Sequence, residues 1–238
     1  MHNTKGQLHP LNQVIQTLHA IFTDMGFELA DGPCLEDQWH NFDALNIPPN
    51  HPARDMQDTF FIRGDSDHVL RAHTSNVQIR YMEEFVKNGR ELPLKIIAPG
   101  MVFRNEATDA THEAQFHQFE GLVVGTDVSL GHLKGTLEEF LKKLFGNDVE
   151  MRFRPGYFPF VEPGVEVDLK FRGQWLELLG SGMVHPQVLE NVGIDPQTYS
   201  GFAFGVGVDR LAMMMYDIPD VRLFYQGDLR LHNALRPL

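Results

Sequence analysis

The sequence predicts an α+β fold, an antiparallel β-sheet flanked by helices, on two observations. Segments with strand periodicity follow one another through short turns in the second half of the chain, the arrangement that makes antiparallel neighbours. Helical periodicity is confined to separate blocks, so helices gather at the sides of the sheet instead of alternating with each strand. A doubly wound nucleotide fold is disfavoured, because Gly205-Val-Gly207 lacks a third glycine and no strand-helix alternation precedes it.

The elements follow in order. Leu11, Val14, Ile15, Leu18, Ile21, Phe22 and Met25 recur at helical spacing, and Gly26 stands where a left-handed C-cap belongs. The short strand Phe27–Ala30 and the turn Gly32-Pro33 come next. The apolar runs Leu94–Ala98 and Leu122–Val124 read as strands on either side of a polar stretch, hence a long hairpin. Leu133, Leu137, Phe140, Leu141 and Leu144 mark a second amphipathic helix ending at Gly146. Strands are then expected over Glu150–Arg154, over the alternating Val165, Val167, Leu169 and Phe171, and over Gln174–Leu179, with Gly173 making a hairpin of the last two. Finally Ser200-Gly-Phe-Ala-Phe-Gly-Val-Gly207 is a glycine-punctuated strand that runs into a helix headed by Asp209 and Arg210.

Composition sets bounds on function. A chain of 238 residues with a hydrophobic fraction of 42% can build one sizeable core, so a single catalytic-size domain over 1–238 is expected, with 1–7 a flexible N-terminal segment. A net charge of -12 repels polyanions, so any nucleic acid must be held by a local basic patch or a partner. Arg222, Arg230 and Arg236 are a faint candidate for such a patch, and more simply a solvated face. Cys34 is the sole cysteine, which excludes an internal disulfide framework and a thiolate metal cage and suits a reducing compartment. No apolar run approaches membrane-spanning length, and the cytoplasm is the expected location.

The chemistry concentrates in two places. Met101-Val-Phe-Arg-Asn-Glu106 and His112-Glu-Ala-Gln-Phe-His-Gln-Phe-Glu-Gly121 bring together an arginine, carboxylates, histidines, glutamines and rings. An arginine can fork onto a phosphate, and Phe116 or Phe119 can lie under a purine, so these groups buried together describe an anionic, ring-bearing ligand. The plain alternative is a charged hairpin in solvent. The second place is Ser200–Met213, where Arg210 sits in a first helical turn against the dipole, a small cost that favours a functional reason.

These two stretches resemble motifs 2 and 3 of the class II aminoacyl-tRNA synthetases. Asn41–Pro48, His51–Asp55, Arg71-Ala-His-Thr-Ser75, Tyr157–Pro163 and Gly182–Pro186, in that order, narrow the resemblance to the catalytic part of the bacterial phenylalanyl-tRNA synthetase alpha subunits, from about Leu8 to the C-terminus. The resemblance implies ATP-dependent activation of L-phenylalanine and its transfer to the cognate tRNA, with a beta subunit as partner in an α2β2 assembly and editing left to that partner. Arg104 would bridge the amino-acid carboxylate and the α-phosphate. Phe116 would stack on adenine with Arg210 on the other face and at the γ-phosphate, while Glu106 and His112 fix the nucleotide's polar edge and phosphates. His73, Ser75, Gln118 and Glu120 would clamp the amino group. Phe158, Phe160 and Val161 would form the aromatic pocket with Gly205, and Ala203 would set its depth. Glu162 would take Mg2+, with further ligands from the partner.

The first helix and strand also resemble motif 1, which implies a subunit interface, and a core-facing helix accounts for them equally well. Family alpha subunits carry an N-terminal helical hairpin that reaches tRNA, ahead of the region matched here, so the chain is expected to be either naturally minimal or shortened, with its grip on tRNA affected and its adenylation site intact. Asp209 stands where the family more often has glutamate, and Gln57 where an aromatic or histidine often walls the amino-acid site. Two rivals stay open: a stand-alone paralog that adenylates an amino acid for another acceptor, and a silent regulatory or binding homologue.

Overall fold

Helix α1 (Pro10–Asp24) forms over the predicted periodicity; the His9 side chain accepts from the Leu11 amide at its start, Pro10 presets the first turn, and Gly26 follows its end at φ +82°. The computed structural model describes residues 8–230, so the expected flexible segment 1–7 and Arg236 lie outside the described residues. After α1 come β1 (Glu28–Leu29), β2 (Leu35–Asp37), α2 (Gln38–Asn41), β3 (Phe61–Ile62), β4 (Asp65–Leu70) and α3 (Ser75–Lys87). The long hairpin is β5 (Leu94–Phe103) and β6 (Gln115–Gly125), followed by α4 (Leu130–Phe145). Strands β7 (Met151–Phe158), β8 (Val161–Phe171) and β9 (Gln174–Val184), the short α5 (Pro186–Asn191), β10 (Ser200–Gly207) and α6 (Val208–Tyr216) complete the order.

The main sheet runs β1-β5-β6-β10-β9-β8-β7, and all its pairings are antiparallel except β1 with β5. That parallel edge pair departs from the expected antiparallel sheet. Its reason is connectivity: parallel neighbours need a long crossover, and residues 30–93 supply one that includes α3 and a second, three-stranded sheet of β2, β4 and β3. The β8–β9 hairpin turns at Arg172 and Gly173, both at positive φ (51° and 81°), the geometry of a tight two-residue hairpin turn.

Strand alternation splits the core between the two faces of the sheet. Phe119 and Val123 of β6 and Phe202, Phe204 and Val206 of β10 pack with α1, α4 and α6, where Phe22 meets the rings of Phe27, Phe119, Phe140 and Phe204 at 5.1–5.3 Å between centroids. The apolar stripe of α1 is therefore spent on this chain's own core, the core-facing alternative for that helix. The other face carries Leu122 and Val124 against α3, α5 and the turns around Phe42–Ile47. On this second face the apolar cover stops short, and the polar half of β6 lies open to cavities.

Candidate active site

Cross-strand register gathers the site. Glu120 of β6 pairs with Ala98 on one side and with Gly205 on the other, and Gly205 pairs in turn with Gly180 of β9. Leu122, Ala203 and Gly182 form the next row. Two of these glycines allow side chains from neighbouring strands to lie flat on the sheet. A Cβ on Gly180 would come within 2.8 Å of the Phe158 ring, and one on Gly205 would meet Glu120 Cγ at 3.1 Å and Gln118 Nε2 at 3.2 Å.

Glu120 is 4% exposed and lies at the N-terminus of α3. Its carboxylate accepts from the Thr74 amide (3.1 Å), the Ser75 hydroxyl (2.7 Å) and the Gln78 amide group (2.6 Å), and the helix end favours a negative charge there. Burial nevertheless raises its pKa to about 7, against the lowering effect of these donors and of Arg104. His73 turns Nε2 to the Asn41 carbonyl (3.0 Å) and leaves Nδ1 buried without a partner among the described residues. Burial, with Arg104's charge second, lowers its pKa to about 4, so the ring is neutral and Nδ1 is a vacant acceptor at pH 7. Gln118 Oε1 is likewise buried and unpaired. Two unpaired acceptors beside a buried carboxylate suit a ligand that brings a cluster of N–H donors.

A cavity of about 350 Å³ opens above these groups. His73, Ser75, Gln118, Glu120, Phe158, Phe160, Val161, Ala203 and Gly205 all line it, so the structure brings together the whole predicted phenylalanine set. Phe158 and Phe160 stack at 5.9 Å and 25°. Its apolar walls include Leu45, Ile47, Ile79, Met82 and Val188.

A second cavity of about 410 Å³ is lined by Glu106, His112, Phe116 and Arg210, with Gly207, Val221 and the β8–β9 residues Phe171 and Leu176. Arg104 lines both cavities. Its Nε donates to the Ala72 carbonyl (3.1 Å) and its guanidinium lies 5.1 Å from the Phe116 ring centre. Arg104 and Glu106 form no ion pair among the described residues. Glu106 acts on it only at a distance, and burial lowers the arginine's pKa. His112 is exposed and held by Asp109 at 3.1 Å, and Arg210 is exposed without an ion pair among the described residues.

Two segments on the rim complete the picture. Glu162 lines neither cavity; it is exposed, 3.5 Å from His185 Nε2, and lies outside the one group of three possible metal ligands among the described residues, Glu36, Asp37 and His40. Gln57, expected near the amino-acid wall, is exposed and lines neither cavity, and the nearby lining residues are His51 and Ala53. In the C-terminal stretch Arg222 pairs with Asp220 and Arg230 with Asp228, which neutralises that faint basic strip.

Residues 1–235 match the family model of the tRNA synthetases class II core domain (F). The phenylalanine-tRNA ligase alpha subunit of Xanthomonas campestris pv. campestris (strain B100) is 52% identical over 231 residues, covering 95% of this chain and 68% of that protein. The chain belongs to the class II synthetases, among the phenylalanine-tRNA ligase alpha subunits. Proteins of the same description from Edwardsiella ictaluri (53% over 226 residues, 94% and 67% covered) and Alkaliphilus metalliredigens (53% over 241 residues, 96% and 69% covered) agree. The antiparallel-dominated sheet with flanking helices is the class II core, and no helix among the described residues is long and apolar enough to cross a membrane. What sequence reasoning missed in this alpha-subunit site is the support for Glu120. Gln78 sits one helical turn after Ser75 and shares its face, a spacing that was visible. The Thr74 amide is backbone and left no trace in residue identity.

Proposed function

We propose that the cavity of about 350 Å³ over Glu120, the upper one, takes phenylalanine, that the second, of about 410 Å³ beside Phe116, the lower one, takes ATP, and that Arg104 spans the junction at which the adenylate forms. The chain is the catalytic alpha subunit of a phenylalanine-tRNA ligase, one domain working with a beta subunit in an α2β2 assembly in the cytoplasm. The observation that supports this most is that a single half-buried arginine lines both cavities. The reaction joins two anions, the amino-acid carboxylate and the α-phosphate, so the first requirement is a cation aimed at both.

The roles follow from the surroundings. Glu120, Gln118 and His73 supply acceptors to the ammonium; Ser75 and Gln78 hold Glu120. The ring packs against the stacked pair Phe158 and Phe160, above Ala203. Among the described residues, the buried side-chain acceptors without a partner that line this cavity are His73 Nδ1 and Gln118 Oε1, both in the ammonium clamp. ATP lies along Phe116 with its phosphates toward Arg104 and Arg210. Mg2+ entering with ATP would neutralise those phosphates, and the carboxylates lining that cavity are Glu106, Glu113, Asp209 and Asp217, of which Asp209 is already engaged by His117 and Tyr225. Glu162 alone, on the outer rim, fits a hydrated ion shared with another chain, and no step of the reaction needs it.

The test is phenylalanine-dependent ATP–pyrophosphate exchange by the protein purified with its partner chain. Exchange followed by transfer to tRNA is expected. Exchange without any tRNA product would favour the paralog, and no exchange with any amino acid would favour the silent homologue.

Depth of the pocket gives a separate expectation. Ala203→Gly removes the methyl group at the far end, and the specificity ratio for para-chloro-phenylalanine over phenylalanine is expected to rise by about ten-fold, the effect of roughly one methylene of room. An unchanged ratio would remove Ala203 from the pocket floor.

A further inference from the structure

We propose that Tyr225 is a positioning residue for the nucleotide half of the reaction: its hydroxyl holds the Asp209 carboxylate, which locks helix α6 to strand β6 and so fixes Arg210 relative to Phe116. The inference rests on reading the lower cavity as the ATP site.

Strand β10 pairs with β6 only as far as Gly207 opposite Gln118, so the next amide along β6, that of His117, lies beyond the ladder. Asp209, 4% exposed in the first turn of α6, takes its place as acceptor: one carboxylate oxygen receives the His117 amide at 2.8 Å. The other oxygen receives the Tyr225 hydroxyl. The residues joined in this way are the immediate chain neighbours of Phe116 on one side and of Arg210 on the other. A shift of either partner changes the width of the nucleotide cavity.

Tyr225 is itself delivered from three directions. It follows the short 3-10 turn Val221–Phe224, whose Val221 amide donates to the Ala110 carbonyl in the loop that carries Glu106 and His112 (2.9 Å). His9 at the head of α1 meets the Phe224 carbonyl at 2.9 Å. The His117 ring lies parallel to Tyr225, 8° apart in plane, with Nδ1 at 3.3 Å from the hydroxyl. Among the titratable groups around the pair are His117 from β6, His9 from α1 and Glu113 from the loop. Burial pushes the Asp209 carboxyl up and the Tyr225 hydroxyl pulls it down, so the hydroxyl helps keep an ionised acceptor beneath the cavity.

The experiment is calorimetric titration of ATP and of phenylalanine, separately, into the assembled protein carrying Tyr225→Phe, Asp209→Asn or both. Tyr225→Phe removes one oxygen and keeps the ring. ATP Kd is expected to rise about ten-fold, equivalent to ~1.4 kcal/mol, with phenylalanine Kd within about two-fold, because the amino-acid clamp is held separately by Thr74, Ser75 and Gln78. The double variant should bind ATP no more weakly than the weaker single variant, since both remove one link. Unchanged ATP binding, equal losses for both ligands with a lowered Tm, or additive losses would each overturn the positioning role. An unmutated protein that binds phenylalanine and no ATP would instead overturn the reading of the lower cavity.

Discussion

Replacing Arg104 with alanine is expected to lower kcat/KM for phenylalanine-dependent ATP–pyrophosphate exchange by about 10³-fold or more, with the fold intact. Loss of one preorganised donor to a developing charge typically costs about 10²–10³-fold, and here the same guanidinium also offsets repulsion between two anionic reactants. The structural cost is small: the Ala72 carbonyl loses one donor, worth about 1 kcal/mol, and Phe116 loses the guanidinium over its ring. Arg104→Lys should recover only a small part, because a point charge cannot fork across two oxygens of different molecules. A second readout comes from its neighbours. Arg104 holds the Glu120 pKa down and contributes to the low pKa of His73, so in the alanine variant both should rise. Exchange reduced by less than ten-fold would remove Arg104 from the junction.

Glu120→Gln is expected to weaken phenylalanine binding by at least about 100-fold, roughly 3 kcal/mol, within the range for removing one member of a buried charge pair. The amide also turns an N–H donor toward the Thr74, Ser75 and Gln78 donors that now converge on two carboxylate oxygens. The unmutated protein should show a pH dependence with a definite sign. Because burial raises the Glu120 pKa to about 7, the side chain is mostly neutral below that pH and charged above it. An ammonium ligand selects the charged form, so affinity should tighten as pH rises, by about ten-fold between pH 6 and pH 8. In the glutamine variant this limb should disappear. Affinity that is flat across pH 6–8 in the unmutated protein would mean that the carboxylate is ionised before the ligand arrives.

Periodicity made much of this fold readable. The α1 stripe, the α4 stripe and the alternation through Val165–Phe171 all announce which face meets the core. Strand ends were harder. Strand β9 continues past Leu179 through Gly180-Ser-Gly182 to Val184, where it lines the amino-acid cavity, and β5 continues past Ala98 through Pro99-Gly100 to Phe103, and neither segment has an apolar alternation to show. The small sheet was missed because β4 reads Asp-Ser-Asp-His before Val69, a polar composition more typical of a turn. The parallel pairing of β1 depends on a partner some 70 positions away, Glu28 with Ile96, and no local pattern encodes it. In the site, the charged and aromatic residues were legible by chemical type, while the apolar walls from Leu45 and Ile47 arrive through irregular turns that carry no period.

The glycines under the site give it an unusual mutational profile. Phe158 rests over Gly180, Val161 over Gly182 with 2.7 Å to an added Cβ, and the clamp side chains over Gly205. None of these glycines donates an atom of its own side chain to a ligand, yet a single added carbon at any of them lifts a wall or a clamp off the sheet. Deleterious substitutions should thus accumulate at positions that alanine scanning regards as conservative, and a screen for lost activity should recover Gly180, Gly182 and Gly205 beside the charged residues. Room for enlargement is narrower. Ala203 is the one member of these two sheet rows on β9 and β10 that still has a carbon to give up, so natural or engineered change in this pocket is biased toward excluding ligands over admitting larger ones.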